Sequence, residues 1–159
     1  MIGPDHNSGA LVVATSSIRY AQIVPLVEEV LKRMIARGWK SGGPAAEDAI
    51  ARLESEFDVT LPHDYRAYLR AAGGGESTAP ESYTGLWPIR AIPVFNRHYR
   101  IPWNFPGLLG IGNDGFLVYV IDFRAETSVI ASLGLSSSIW DDVVTETDTF
   151  TEWLERRIP

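Results

Sequence analysis

The sequence predicts an α+β protein in which N-terminal helices and a C-terminal helix pack on a central, largely antiparallel sheet. Three observations support this fold class. Apolar residues recur with helical spacing through the first half of the chain. From Leu86 onward, runs rich in β-branched and aromatic residues follow one another without helices between them, which favours antiparallel pairing. Helical spacing returns in residues 147–158.

Three segments are expected along the chain: a flexible leader over residues 1–16, an additional helix and linker over 17–43, and a single domain over 44–159. The stretch YAQIVPLVEEVLKRMIARG carries the helical pattern of the second segment. Because proline is tolerated in a first helical turn, Pro25 predicts that the regular helix begins near Val24. This helix either packs on the domain or mediates a homodimer.

Two more helices are predicted before the sheet. Pro44 opens the first, which ends near Asp58, and Pro62 lies in the first turn of the second. Gly73 stands where a C-terminal cap favours a residue with positive φ.

Glu54 borders the apolar face of the first of these two helices. A solvated helix edge is the ordinary position for such a residue. We expect its carboxylate instead to turn inward and accept free backbone N–H groups at the start of the next helix, near His63 and Asp64.

The strand region is predicted from four apolar runs: LWPIRAIPV, GLLGIG, FLVYVIDF and SVIASLG. The tripeptide NDG between the second and third runs predicts a tight hairpin. In the closing helix, Thr149 and Glu152 have capping-box spacing. The side chains expected to face inward there are Phe150, Trp153, Leu154 and Ile158.

Composition bounds the class of protein. The 159 residues include no cysteine, which excludes disulfides and thiolate metal sites. Neither a basic leader with an apolar core nor a long apolar run is present, so we expect a cytoplasmic protein without a membrane span.

The negative charge is concentrated in the last third of the chain. Residues 1–109 contain eleven basic and eleven acidic side chains, whereas residues 110–159 contain three arginines and nine acidic side chains, so they carry the whole net charge of −6. This surface either keeps the protein soluble or repels nucleic acid and attracts a basic partner. Direct nucleic-acid binding is not expected, because it requires a basic stripe.

No residue pattern indicates catalysis. The glycines at 73–75 follow a helix, whereas a phosphate-binding loop precedes one. His63 and Asp64 are successive helix positions, which point about 100° apart and do not form a base with its orienting carboxylate. The three histidines are scattered and no G-x-S-x-G occurs. We therefore expect no enzymatic activity, no cofactor and no metal.

The stretch VFNRHYRIPWNFPGL concentrates four aromatic residues between arginines and prolines. Aromatic side chains and arginine outside regular structure are typical of protein interfaces. The alternative is that these rings cover a small core. The residues concerned are Phe95, Tyr99, Trp103 and Phe105.

The stretch IARLESEFDVTLPHDYRAYLRAAGGG resembles the N-terminal signature of the SUKH superfamily. That signature is an Ile-x-x-(Leu/Phe)-Glu helix, then Leu-Pro-x-Asp-Tyr and an aromatic-rich helix ending in Asn-Gly-Gly. The matching residues are Ile50, Leu53, Glu54, Leu61, Pro62, Asp64, Tyr65, Tyr68, Leu69, Gly73 and Gly74. Ala72 stands where the family often has Asn.

Two later stretches extend the resemblance to roughly residues 44–157. LLGIGNDGFLVYVID is similar to the central strands of the family, with Gly115, Tyr119 and Asp122 in familiar places. DTFTEWLERR is similar to the closing helix, with Phe150 and Leu154 as its anchors. The resemblance implies an α+β fold without a catalytic site.

In bacteria, the resemblance implies an immunity protein that binds and blocks the toxin domain of a polymorphic or contact-dependent secreted toxin. Other members are cell-wall regulators in fungi, so the alternative is a regulatory or scaffold domain that binds an endogenous protein or a small ligand. If the toxin is a nuclease with a basic active-site surface, an acidic inhibitor would use charge to speed association. The candidate contact residues are then Asp141, Asp142, Glu146 and Asp148, with Trp103 and Trp140 as aromatic anchors.

Overall fold

A computed structural model describes residues 8–79 and 81–157. Six α-helices lie in this part of the chain: α1 (Ser8–Ala36), α2 (Glu47–Phe57), α3 (His63–Ala71), α4 (Ile92–His98), α5 (Ile101–Asn104) and α6 (Phe150–Arg157). The seven strands are β1 (Trp39–Ser41), β2 (Gly75–Ser77), β3 (Gly85–Leu86), β4 (Leu108–Asn113), β5 (Leu117–Asp122), β6 (Val129–Gly134) and β7 (Val144–Thr147). A 3-10 turn, Trp140–Asp142, lies between β6 and β7.

The strands form one sheet in chain order, and every neighbouring pair is antiparallel. The predicted hairpin at NDG joins β4 and β5, with Asn113 opposite Val118. The predicted α+β class, with helices before the sheet and one after it, is confirmed.

Helices cover both faces of the sheet. Tyr119 on β5 contacts the Trp153 ring of α6, with 4.8 Å between ring centroids. Its neighbour Val120 points to the other face and lies opposite Gly110, where a side chain would meet Ile101 of α5. Thus α6 lies on one face, packed against β6 and β7, and α4 and α5 lie on the other, packed against β4.

The N-termini of α3 and α6 meet at the buried carboxylate of Asp64. Its Oδ2 accepts hydrogen bonds from the backbone N–H of Thr151 at 2.8 Å and from the Thr151 hydroxyl at 3.1 Å. Its Oδ1 accepts the Tyr65 N–H at 2.9 Å. A carboxylate is favourable at a helix N-terminus, where free N–H groups carry partial positive charge. One residue therefore joins two helices that are 87 positions apart in sequence.

Glu54 turns inward, as expected, but to a neighbouring partner. Its carboxylate accepts the backbone N–H of Leu61 at 2.8 Å and pairs with the Arg66 guanidinium at 2.5 Å. The hydrogen bond that was expected near His63 and Asp64 is therefore made with Leu61, the residue before Pro62. Pro62 itself has no N–H to donate.

The expected strand LWPIRAIPV is wrong beyond its first residue. The chain leaves β3 after Leu86 and forms α4, which begins at Ile92. Inside α4, the fully buried Asn96 accepts the Gly110 N–H and donates to the Gly110 carbonyl, both at 2.8 Å. The Asn96 amide thereby satisfies β4 at a position that β3 does not reach, next to the irregularity between Gly110 and Gly112.

The N-terminal helix is longer than predicted. Instead of beginning near Val24 it extends from Ser8 to Ala36, with Pro25 inside it. Part of the expected leader, residues 8–16, is therefore helical, and residues 1–7 lie outside the described residues. Pro25 has no N–H and so removes one helical hydrogen bond, but the helix continues beyond it. The helix packs on α3 and α6 through four buried side chains, Val27, Val30, Leu31 and Met34.

The glycines at 73–75 serve a close crossing of the chain. Gly73 has φ of +68°, as its predicted capping position requires, and a Cβ there would clash with the Gly43 carbonyl oxygen. The Gly74 carbonyl accepts the Gly42 N–H at 3.0 Å and the buried Tyr68 hydroxyl at 2.9 Å. In the closing helix, Glu152 N–H donates to Thr149 Oγ1 as the capping box predicts, and Ile158 lies outside the described residues.

The role of Asp64 is testable by truncation. Asp64→Ala leaves the Thr151 N–H and hydroxyl buried without their acceptor, so we expect a loss of about 2–4 kcal/mol in the free energy of unfolding measured with urea. The control Asp48→Ala removes an exposed pair with Arg52 and should cost less than about 1 kcal/mol. Equal losses in the two variants would contradict the linking role of Asp64.

Candidate partner-binding surface

Three of the four aromatic rings in VFNRHYRIPWNFPGL pack on the protein. Phe95 and Tyr99 lie in and beside α4 and pack on Trp87, with centroid separations of 4.8 and 6.0 Å. Phe105 is buried at the end of α5. Trp103 differs, because 56% of its surface is exposed. The segment was expected to lie outside regular structure, but it forms two short helices, α4 and α5.

Trp140 is held from two sides. Its ring meets the Phe105 ring edge-on, with 5.0 Å between centroids, and the Arg124 guanidinium lies 4.4 Å from the Trp140 centroid. The ring remains 37% exposed. A cation over an aromatic face and a T-shaped ring pair both fix orientation. Trp140 is therefore an exposed aromatic side chain with a defined position, and Phe105 links it to the segment of Trp103.

Arg124 is itself held by Asp122, which ends β5. The Asp122 carboxylate accepts the Arg124 backbone N–H at 3.0 Å and the guanidinium at 2.7 Å. Burial alone raises the pKa of Asp122, but the hydrogen bonds from Arg124 outweigh it and the net pKa lies below its ordinary value. The same pairing raises the pKa of Arg124. The chain from Asp122 through Arg124 to Trp140 positions the exposed ring.

The exposed residues around Trp140 form a mixed apolar and acidic surface. Ile139 and Val144 are 59% and 58% exposed, and Asp141 and Asp142 are exposed between them. We call these five residues, from Ile139 to Asp142 together with Val144, the Trp140 surface. It lies at the start of β7, which is the last strand of the sheet and has one unpaired edge. Asp148 is exposed just beyond the other end of β7.

The nine acidic side chains of the last third divide into two groups. Five have partners within the chain: Asp114 in the hairpin turn, Asp122 with Arg124, Glu146 with Arg157, Glu152 with Arg156 and Glu155 with Arg33. Across residues 8–79 and 81–157, the other four form no ion pair, although Asp142 accepts a hydrogen bond from the Ser137 hydroxyl at 2.6 Å. These four are Glu126, Asp141, Asp142 and Asp148. The uncompensated charge is therefore found on three of the four acidic residues named as candidates.

Glu146 is the one candidate contact residue whose carboxylate forms an ion pair within the chain. Its side chain is only 19% exposed and pairs with the Arg157 guanidinium at 2.6 Å. It also accepts the Trp153 indole N–H at 3.0 Å. These bonds connect β7 to α6. The Glu146 carboxylate is therefore bonded within the chain and is not free to pair with a bound protein. Sequence spacing could not show this, because the partners lie in the next helix.

A three-ligand metal cluster and a membrane-spanning helix are both absent from the part of the chain that the structure describes. In residues 8–79 and 81–157, no three His, Asp or Glu side chains lie close enough together to hold a metal ion. No helix in that part of the chain is long and apolar enough to cross a bilayer. What the Trp140 surface offers chemically is an aromatic ring flanked by carboxylates, which suits contact with a cationic surface.

A family model for the SMI1/KNR4 family (SUKH-1) matches residues 44–156. The chain belongs to the SMI1/KNR4 family. The predicted SUKH membership is thus confirmed. No curated protein sequence matches the chain significantly.

The residues that carry the SMI1/KNR4 resemblance hold the fold together. Glu54 and Asp64 bind backbone N–H groups, and Tyr65 and Phe150 pack ring against ring at 4.9 Å. Helix α1 and strand β1 precede the matched residues, and they pack on this frame through α3, α6 and β2. The Trp140 surface lies within the matched range but contains none of the residues quoted for the resemblance.

The Asp122–Arg124 pair predicts a pH-dependent stability. The folded-state pKa of Asp122 is lowered, so the ionised carboxylate stabilises the folded protein. This stabilisation is complete above the ordinary carboxyl pKa of about 3.9 and is lost as the pH falls through the folded-state pKa of Asp122. Arg124 is half exposed, so we expect Arg124→Gln to cost about 1 kcal/mol of unfolding free energy at pH 7. Urea titrations should show this difference shrinking below about pH 4.

A matched variant separates this effect from a general loss of charge. Arg52→Gln removes another arginine, from an exposed pair with Asp48 on α2. Its effect should be smaller than that of Arg124→Gln at pH 7. A constant difference between wild type and Arg124→Gln from pH 7 to pH 2 would contradict the account of Asp122.

Proposed function

We propose that this SMI1/KNR4 protein is an immunity protein, which binds a cognate secreted polymorphic or contact-dependent toxin in the cytoplasm and neutralises it. It acts by occupying the toxin rather than by catalysis. The observation that carries the proposal is the Trp140 surface, an oriented and exposed tryptophan beside two carboxylates that form no ion pair within residues 8–79 and 81–157. Family membership supports a binding role.

The chemistry of this surface favours a basic partner. Tryptophan is enriched among the residues that dominate binding energy at interfaces, where it fills a pocket on the partner. Unpaired carboxylates around it attract a positively charged surface and repel nucleic acid, which increases the rate of productive encounter. A nuclease toxin presents such a basic surface where it binds phosphates. We therefore propose a nuclease as the toxin.

The contact residues follow from the ion-pair pattern. Asp141 and Asp142 are placed at the centre of the contact with Trp140, while Trp103 and Asp148 extend it along α5 and beyond β7. Glu146 contributes indirectly, because its bonds to Arg157 and Trp153 hold β7 against α6. The proposal assigns no cofactor and no metal to this chain.

Co-expression with the toxin domain encoded beside the gene tests the function. Wild type should restore growth and co-purify with the toxin. Asp141→Asn combined with Asp142→Asn should lower the association rate about tenfold at low salt and weaken the rescue, because two unpaired charges are removed from the contact.

The matched control is Glu28→Gln combined with Glu29→Gln, which removes two exposed charges from α1. It should bind and rescue like wild type. Absence of both rescue and complex, with both proteins folded, would refute the immunity function and favour a regulatory domain. Equal effects of the two double variants would leave immunity intact but refute the assigned surface.

A further inference from the structure

The outer edge of β7 presents backbone groups to solvent, and the hydrogen bonds of the sheet show which ones. In an antiparallel ladder, successive residues of a strand turn their N–H and C=O groups alternately to one neighbouring strand and to the other. The Leu135 N–H donates to the Phe116 carbonyl at 3.0 Å, which continues the register between β5 and β6. Counted from this bond in steps of two residues, Ala131 turns to β5, so Ser132 turns to β7.

Thr145 is the residue of β7 whose backbone groups face away from the sheet. Val144 stands opposite Ser132 and bonds to β6, so the next residue, Thr145, turns its N–H and its C=O to the open edge. Val143 has the same orientation, but its N–H donates to the Trp140 carbonyl at 3.0 Å. Within residues 8–79 and 81–157, three groups at this edge therefore have no hydrogen-bond partner: the Thr145 N–H, the Thr145 C=O and the Val143 C=O.

The side chains at the start of β7 leave this edge accessible. Val144 is 58% exposed and Thr145 is also exposed, and the two lie on opposite faces of the sheet. Edge strands are commonly protected by lysine, proline or a bulge. In β7 such protection is confined to the second half, where Glu146 lies at the register shift and its carbonyl accepts the Arg156 guanidinium at 2.9 Å. The first half has uncharged β-branched residues, which suit pairing with another strand.

The charges around β7 favour a basic occupant over a second copy of this chain. Asp141 and Asp142 precede the strand and Asp148 follows it, and none of them forms an ion pair within residues 8–79 and 81–157. If β7 paired with β7 of a second copy, Asp142 would lie beside Asp148 in the antiparallel orientation and beside Asp142 in the parallel one. Like charges on neighbouring strands are destabilising, whereas lysine or arginine at the ends of an added strand would pair with these carboxylates.

We infer that the toxin adds an extended segment to the outer edge of β7 and that this segment carries basic side chains at both ends. The inference rests on the proposed immunity function and specifies how the toxin is bound. Backbone hydrogen bonds to Thr145 and Val143 supply affinity, and contacts of alternate side chains with Val144 and Thr145 supply specificity. Because β7 begins beside Trp140, the added segment continues the contact made by the Trp140 surface.

Hydrogen exchange of the Thr145 amide reports pairing at this edge without any substitution. NMR-detected exchange is measured on the full chain alone and in complex with the toxin domain encoded beside the gene. The Thr145 N–H should exchange at least about tenfold more slowly in the complex, because water reaches it only in the free chain. The Val144 N–H is the internal reference, since its bond to β6 protects it in both states.

A proline at the same position removes the edge donor. Thr145→Pro should leave the ladder between β6 and β7 complete, because proline is tolerated on an edge strand where its missing N–H would face solvent. Its affinity for the toxin domain, measured by calorimetry, should fall about tenfold or more. Thr145→Val keeps the N–H and a β-branched side chain, so it should bind like wild type and separate the backbone contribution from that of the side chain.

The outcomes distinguish this inference from the immunity function. A complex in which the Thr145 amide exchanges as fast as in the free chain, or equal binding by Thr145→Pro and Thr145→Val, would overturn the edge pairing and leave immunity intact. A dimer of the free chain with a protected Thr145 amide would assign the edge to a second copy instead. Failure of Thr145→Pro to fold would contradict the assigned orientation of the N–H. Absence of any complex, with both proteins folded, would refute the immunity function and the edge pairing together.

Discussion

The buried carboxylate of Asp64 is the interaction on which the arrangement of the other elements depends. It satisfies free N–H groups at the starts of α3 and α6, which flank the sheet segment from β2 to β7 in the chain. Phe150, the first residue of α6, is packed by this contact against Tyr65 and Tyr68. With α6 fixed in this way, Arg157 and Trp153 can hold Glu146 on β7. The position of the Trp140 surface at the start of β7 therefore depends on a bond formed far from it.

The division of acidic residues explains how an acidic chain can both fold and present charge. Carboxylates such as Asp114, Asp122 and Glu146 are bonded inside the chain, where unpaired charge would be costly. Asp141 and Asp142 are left exposed beside a ring that Arg124 orients. The same arginine contributes to stability through Asp122 and to the candidate contact through Trp140, so the fold and the surface share one residue.

Local patterns in the sequence predict most of the helices and strands, but they do not predict the contacts that build the candidate binding surface. Helical spacing, the NDG turn and the Thr149 cap act within a few residues, and the structure has all three. The prediction of a strand after Leu86 is wrong. Asn96 of α4 bonds to Gly110 there, where a strand partner was expected. Arg124 over Trp140 and Arg157 on Glu146 are contacts between distant positions, for which a single sequence has no signal.

The salt dependence of association with the toxin tests most directly whether the charge of the Trp140 surface attracts the partner. Stopped-flow measurement of kon for the wild-type chain should show a fall of about tenfold or more between about 20 mM and 500 mM salt, because screening shortens the range over which Asp141 and Asp142 attract a basic partner. A kon that is independent of salt would contradict the account, since the acidic residues would then contribute nothing to encounter.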